Sequence, residues 1–104
     1  MGSRTITVDN LEDYLPEGVT EIISGGAKGV DTCAREYAEK HNIPLREYLP
    51  EYSKYGRAAP IVRNREIVDA ADAVIVIWDG HSKGTEMIID YCQKQNKSVY
   101  QYKT

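Results

Sequence analysis

The sequence has few cysteines, no long apolar run and no excess of positive charge. Its two cysteines, Cys33 and Cys92, form no CxxC pair and stand at no zinc-ligand spacing from the two histidines, so we expect neither a metal site nor a cofactor. No apolar run approaches the length of a membrane span, and the first ten residues contain no signal-peptide core. We therefore expect no membrane association and a cytoplasmic location. The net charge of −3 disfavours non-specific binding to nucleic acid, which needs clustered lysine and arginine.

The length and the apolar periodicity predict a single α/β domain over residues 1–104. Predicted strands at 20–24, 44–49, 73–78 and 98–102 alternate with predicted helices at 30–41, 61–71 and 85–96. Residues 73–78, AVIVIW, are apolar on both faces, as expected for a central strand that is covered on both sides. The alternation indicates a Rossmann-like three-layer sandwich with a mainly parallel sheet.

The remaining segments carry weaker patterns. Residues 5–8, TITV, alternate like a strand, and residues 10–15 have room for only a short helix. Residues 50–60 are expected to form a polar loop, in which Tyr52 and Tyr55, with Gly56 and Arg57, either cover a bound base or simply pack. The side chains expected to face the core from the last two helices are Ile61, Val68, Ala71, Ile88, Ile89 and Cys92.

Two predicted strand-to-helix junctions are rich in glycine, and each contains a lysine, Lys28 or Lys83. They are SGGAKGVD at 24–31 and DGHSKGTE at 79–86. Parallel strands end at one edge of a sheet, and each loop opens a helix whose N–H groups and dipole attract an anion. Neither loop matches GxGxxG or GxxxxGK[ST], and either one alone is also typical of an ordinary turn. Together they predict an anion site.

Two polar residues near the start of the predicted helix 61–71 are expected at the same edge. Arg63 and Asn64 follow the polar loop, and an arginine there can hold a phosphate or a carboxylate through two hydrogen bonds. Read alone, Arg63 is equally typical of a surface salt bridge.

Three separated stretches resemble the SLOG superfamily, especially its small members related to YspA and YpsA. They are SGGAKGVDTCA, VRNREIVDAADAVIVIWDG and SKGTEMIIDYC, and the similarity runs from about Thr20 to the C-terminus. The resemblance implies a Rossmann-like fold that binds a nucleotide or a nucleotide-derived ligand at its glycine loops. It implies a first phosphate loop made of Ser24, Gly25, Gly26, Lys28, Gly29 and Asp31. It also implies an Arg–Asn pair, Arg63 and Asn64. A second loop would consist of Asp79, Gly80, Ser82, Gly84 and Thr85.

The sequence departs from the family pattern in two places. Gly2, Ser3 and Arg4 resemble the residues that follow the family's first strand, so that strand is missing, through a truncated start or because MGS is a cloning remnant and the match accidental. We expect either that residues 5–8 pair with the sheet in place of this strand or that a second chain fills the vacancy. The second alternative predicts a homo-oligomer. In the LOG motif PGGxGTxxE, the position of the catalytic glutamate is occupied by Ile88, and Glu86 is the only acid nearby.

Three functions are compatible with these residues. The first is a sensor or binding module for a nucleotide-derived molecule such as an ADP-ribose or NAD derivative, with phosphates on both loops and a ribose hydroxyl on Asp31 or Asp79. The second is LOG-like hydrolysis of a nucleotide N-glycosidic bond, with Glu86 as the catalytic acid and Arg63 on the phosphate. The third, single-strand DNA binding as in DprA, is disfavoured by the acidic balance.

Overall fold

The structure, a computed structural model, describes residues 1–2, 6–8 and 10–104. Its regular elements are β1 (Ile22–Ser24), α1 (Val30–Lys40), β2 (Leu45–Glu47), α2 (Tyr52–Tyr55), α3 (Ala59–Ala70), β3 (Ala73–Trp78), α4 (Lys83–Lys94) and β4 (Ser98–Lys103). Short 3-10 helices span Leu11–Tyr14 and Gly56–Ala58. No helix in the described part of the chain is long and apolar enough to cross a membrane.

The strands form two parallel pairs. β1 pairs with β2, with Ile22 opposite Leu45, and β3 pairs with β4, with Ala73 opposite Ser98. A single parallel bridge joins Gly2 to Ile77 on the other side of β3. The parallel pairing and the alternating helices confirm the Rossmann-like α/β class, although the described strands form two pairs and not one continuous sheet.

Helices and apolar side chains cover both faces of β3. On one face, Val74, Val76 and Trp78 pack with residues of α3 and α4 in a cluster that also contains Val68, Ile88, Ile89 and Cys92. On the other face, Ile77 packs with Val30 of α1 and Leu11 of the first 3-10 helix. The continuous apolar run in this strand therefore reflects burial on both sides, as the sequence predicts.

The predicted inward face of α3 is partly wrong. Val68 is buried, but Ile61 is 37% exposed, and the other buried residues of the helix are Ala59, Arg63 and Ile67. These three follow one another at intervals of four residues and therefore share a face, whereas Ile61 lies about 200° away from Ala59 around the helix. A polar residue, Arg63, thus lies on the inward face of α3, whereas the apolar pattern had placed Ile61 there.

Two irregular segments also differ from expectation. Residues 50–60 are not an open loop, because they contain α2 and the second 3-10 helix, and α2 ends at Gly56 in a left-handed conformation (φ 58°). Residues 6–8 form no strand, and Thr5 lies outside the described residues. Ile6 and Val8 instead pack on the second cluster, so their alternation reflects packing without a paired strand. The short helix expected at 10–15 is confirmed as the 3-10 helix Leu11–Tyr14.

The two free cysteines are expected to differ strongly in reactivity. Cys92 is fully buried in the α3–α4 cluster, and burial raises the pKa of its thiol, whereas Cys33 is partly accessible. Because the thiolate is the reactive form, a thiol reagent at pH 8 should label native Cys33 well before Cys92. Mass spectrometry of peptides from a time course measures this, and labelling in denaturant is the control. Equal native rates at the two sites would contradict the packing of α4.

Candidate functional site

The loop between β1 and α1 has two positions that favour glycine. Gly26 and Gly29 have φ values of 67° and 78°. A Cβ on Gly26 would also lie 2.9 Å from Leu49 Cδ2, so the loop passes close over the segment that follows β2. The buried Ser24 holds the turn, because its Oγ accepts a hydrogen bond from the Gly26 N–H at 3.2 Å. The glycines therefore serve a tight, close-packed turn.

The first turn of α1 has no side-chain cap at its N-terminus. Gly29 occupies the N-cap position, and no side chain there accepts a hydrogen bond from the helix. The amide groups of a first helical turn have no partner within the helix, and the helix dipole makes this end positive. Lys28, which directly precedes Gly29, is exposed. This end of α1 can therefore donate hydrogen bonds to an anion.

Asp31 lies buried in the first turn of α1. Its Oδ2 accepts a hydrogen bond from the Ala27 N–H at 3.3 Å, which ties the loop to the helix. Its Oδ1 lies 3.8 Å from the Met1 amino nitrogen and has no hydrogen-bond partner among the described residues. Burial lowers the pKa of that amino group, and the nearby Asp31 opposes the shift. One carboxylate oxygen of Asp31 thus keeps an unused acceptor capacity.

Arg63 lies behind this loop and links it to α3. The residue is only 8% exposed, and its Nη1 donates a hydrogen bond to the Gly25 carbonyl oxygen at 2.8 Å. Its Nε donates to Asn64 Oδ1, also at 2.8 Å. A Cβ on Gly25 would lie 2.6 Å from Nη1, so glycine is needed there for the guanidinium to approach the backbone. Arg63 is therefore a buried support of the loop and does not lie on the surface.

The second glycine loop joins β3 to α4. Asp79 Oδ1 accepts a hydrogen bond from the His81 N–H at 2.8 Å, and Gly80 has a φ of 91°. Ser82 is the N-cap of α4, and its Oγ accepts from the Thr85 N–H at 3.3 Å. One of the amide groups at this helix end is thus already paired. The exposed Lys83 and Gly84 follow directly.

Two sets of contacts show where the first and second glycine loops lie relative to one another. Val30, which begins α1 after the first loop, packs on Ile77, one residue before the end of β3. Asn64, the neighbour of Arg63, lines a cavity of about 170 Å³ between α3 and α4, and Gly84 of the second loop lines the same cavity. The Arg63–Asn64 pair therefore lies between the first loop and the start of α4. Direct contact of one ligand with both loops stays a prediction.

Comparison with known proteins identifies the family. A model of the YspA, cpYpsA-related SLOG family matches residues 3–55, about half of the chain. The chain belongs to this SLOG family. The matched SLOG segment contains the first loop and α1 and ends before Arg63 and the second loop. No curated protein matches the chain, and no solved structure does. Membership suggests a nucleotide-related ligand or LOG-like chemistry.

The position that corresponds to the LOG glutamate faces the core of this SLOG protein. Ile88 is only 7% exposed and belongs to the α3–α4 cluster. Glu86 is exposed in the first turn of α4, where its N–H donates to the Ser82 carbonyl oxygen at 3.0 Å. Within the described residues, no group of three or more histidine, cysteine or acidic side chains converges as a metal site.

One further residue of the SLOG chain borders the second loop and was not predicted from the sequence. A Cβ on Gly80 would lie 2.8 Å from Lys103 Cε and 3.3 Å from its Nζ, so the Lys103 side chain lies against the loop. Lys103 is the last residue of β4, opposite Trp78 of β3. The pairing of consecutive parallel strands brings their carboxyl ends together, and this was the signal available in the sequence.

Proposed function

We propose that this protein binds a nucleotide-derived ligand, of the ADP-ribose, NAD or nucleoside-phosphate type, as a sensor or binding module. The observation that carries the proposal is the support of the first loop: buried Arg63 holds the Gly25 carbonyl oxygen from behind. Its guanidinium consequently faces the protein side of the loop, and the amide groups at the start of α1 remain for a ligand. An anion-binding turn that is fixed in this way needs little rearrangement when it binds.

The charges near the loops favour a phosphate. Lys28 and Lys83 are exposed beside the N-termini of α1 and α4, and Lys103 lies against Gly80. Positive side chains and helix dipoles act together at these ends, although the whole chain carries a net charge of −3. The ligand class that suits them is a compact anion with several acceptor oxygens, which is what a phosphate or diphosphate provides.

A ribose hydroxyl would supply the donor that Asp31 lacks. Asp31 Oδ1 is buried and has no hydrogen-bond partner among the described residues. Its contact with the Met1 amino group, at 3.8 Å, is too long for a hydrogen bond, so a donor from the ligand would add one. Asp79 is a second candidate for this role, but one of its oxygens already accepts from the His81 N–H. We therefore assign the sugar contact to Asp31.

Binding without hydrolysis fits the position of the acidic side chains. The LOG mechanism requires a carboxylate next to the scissile bond, and here the corresponding residue is the buried Ile88. Glu86 is exposed to solvent in the first turn of α4 and lies two residues before that position. Incubation with a nucleoside monophosphate tests this: release of free base that Glu86→Gln abolishes would replace the binding proposal with LOG-like hydrolysis.

Titration calorimetry with ADP-ribose, NAD and AMP, together with lysine variants, tests the site directly. Lys28→Gln and Lys83→Gln should each weaken the ligand that binds by about fivefold, because a solvent-screened charge contact contributes modestly. Lys40→Gln is the matched control, since Lys40 is exposed in the last turn of the same helix α1. No binding by any of the three compounds, or equal effects of the Lys28 and Lys40 changes, would refute the assignment.

A further inference from the structure

Three side chains lie against the first glycine loop at Gly26. A Cβ on Gly26 would lie 2.9 Å from Leu49 Cδ2, 3.3 Å from Glu47 Oε2 and 3.7 Å from Arg35 Nη2. Glu47 is the last residue of β2, and Leu49 follows it in the segment that leads to α2. Because β1 and β2 are parallel neighbours, the chain that leaves β2 emerges at the same edge as the loop that leaves β1. These side chains therefore border the place proposed for the phosphate.

One oxygen of the Glu47 carboxylate is held by the protein, and the other is available. Nε and Nη2 of Arg35 both donate to Oε2, at 3.1 Å and 2.8 Å. Oε1 accepts no hydrogen bond from the described residues, and it is not buried, since Asp31 Oδ1 is the only buried side-chain atom among them that lacks a partner. An ionised carboxylate only accepts hydrogen bonds. Glu47 therefore offers a fixed acceptor to a donor of the ligand.

The ion pair with Arg35 decides which part of a ligand suits Glu47. An isolated carboxylate beside a phosphate site would repel the phosphate, but the Arg35 guanidinium, 2.8 Å from Oε2, balances its charge. The group that meets Oε1 must donate a hydrogen bond and carry no negative charge. A ribose hydroxyl meets both conditions, and its hydrogen bond to a charged acceptor is stronger than one to a neutral acceptor. A second phosphate meets neither.

Leu49 supplies an apolar surface next to this acceptor. Its side chain is 63% exposed, and with Tyr52 at 59% it is one of the two most exposed large apolar residues of the described chain. A single exposed leucine is ordinary on a protein surface. Leu49 differs because its contact with Gly26 places it at the loop, two residues after Glu47. A planar base joined to a ribose on Glu47 would cover this side chain and remove apolar surface from water.

We propose that Glu47 and Leu49 form the nucleoside subsite of the ligand, with the ribose 2′-hydroxyl on Glu47 Oε1 and the base on Leu49. The inference rests on the proposed binding of a phosphate at the first loop. Asp31, which accepts from the Ala27 N–H beside Gly26, then meets a second sugar. Sugar contacts at two adjacent residues of one loop select a nucleoside diphosphate sugar over a nucleoside monophosphate. Glu47 also selects an unmodified 2′-hydroxyl over a 2′-phosphate.

Titration calorimetry with ADP-ribose and ADP-ribose 2′-phosphate tests the subsite. The original chain should bind ADP-ribose at least about tenfold more tightly, because the 2′-phosphate replaces the donor with a negative charge. Glu47→Gln should weaken ADP-ribose by about fivefold, since the acceptor loses its charge. The same variant should tighten the 2′-phosphate by about fivefold, because Arg35 is then free to pair with it. The preference between the two ligands should therefore disappear or reverse.

Glu21→Gln is the matched control for this change. Glu21 also forms an ion pair with an arginine of β2, since its Oε1 lies 3.0 Å from Arg46 Nη2. It directly precedes β1 and is therefore at the end of the strand opposite to the glycine loop. Its removal should leave both affinities unchanged. A merely structural role of Glu47 would lower both affinities together and preserve their ratio, so the ratio separates the two roles.

The base contact is tested with the same two ligands. Leu49→Ala should weaken both by about fivefold and keep their ratio, because it removes apolar contact without changing the charge at Glu47. Tyr100→Ala is the control, as Tyr100 is 47% exposed in the interior of β4, and it should leave both affinities unchanged.

The failures of the subsite and of the proposed function can be distinguished. Equal affinity of the original chain for the two ligands, a preference for the 2′-phosphate, or a ratio that Glu47→Gln does not change would overturn the subsite. Unchanged binding by Leu49→Ala would overturn the base contact. In each of these cases the phosphate site at the first loop would stand. Binding of neither ligand would refute the proposed function and the subsite together.

Discussion

Arg63→Ala is expected to lower the free energy of unfolding by about 3 kcal/mol, because it removes a charged donor and leaves a buried carbonyl group unpaired. Nη1 of Arg63 donates to the Gly25 carbonyl oxygen, and Nε donates to Asn64 Oδ1. For a domain of this size, the change corresponds to a fall in Tm of about 15 °C. Urea unfolding and thermal unfolding followed by circular dichroism measure it.

Arg65→Ala is the matched control for this prediction. Arg65 is in the same helix and exposed, with its guanidinium 5.4 Å from the centre of the Tyr91 ring, so its removal should change stability little. Arg63→Lys should recover only part of the loss, because an ammonium group lacks the planar set of donors that reaches Gly25 and Asn64 together. Equal stability of the Arg63→Ala and Arg65→Ala variants would show that the buried contact does not form.

Gly25→Ala and Gly84→Ala are expected to change stability in opposite directions. A Cβ on Gly25 would lie 2.6 Å from Arg63 Nη1, so alanine should cost about 2 kcal/mol through overpacking. A Cβ on Gly84 has Ser82 Oγ as its nearest neighbour, at 3.9 Å, and the residue is helical. Alanine there should stabilise α4 by about 0.5 kcal/mol, since glycine is a poor helix former. Urea unfolding of the two variants measures whether each substitution raises or lowers the free energy of unfolding.

A double-mutant cycle separates the steric effect from a general weakening of the loop. In the Arg63→Ala background the guanidinium is absent, so Gly25→Ala should cost much less than it does in the original chain. If the cost is the same in both backgrounds, Gly25 is required for some other reason. The cycle therefore tests the loop-to-α3 contact independently of any ligand.

The sequence predicts well those helices and strands that follow from the local pattern of apolar residues and glycines. AVIVIW is apolar on both faces, and the structure gives a strand over the same residues, Ala73–Trp78, with clusters on both sides. Val30–Lys40 follows from a helical spacing of apolar residues that begins directly after a glycine loop. The glycine loops themselves were located because each lies between a β-branched run and an amphipathic helix.

The site could be predicted only as a set of segments. Apolar periodicity in α3 assigned Ile61 to the core, but the inward face includes Arg63, because the Gly25 carbonyl group on another element provides its partner. A single sequence does not contain that pairing. Residues 50–60 looked like a loop because of their polar composition, although Tyr52–Tyr55 forms a helical turn. Whether such a residue is buried, or such a segment is helical, depends on contacts with residues that are distant in the sequence.

The space between β1 and β3 has a mechanical consequence. β1 with β2 and β3 with β4 form separate hydrogen-bonded ladders, and the contacts described between them are made by side chains and by the first two residues. Widening or narrowing this space therefore breaks no ladder, while it changes the separation of the two turns that follow β1 and β3. We expect the spacing of those two turns to be set by the side chains that pack between the strand pairs, and not by hydrogen bonds of the sheet.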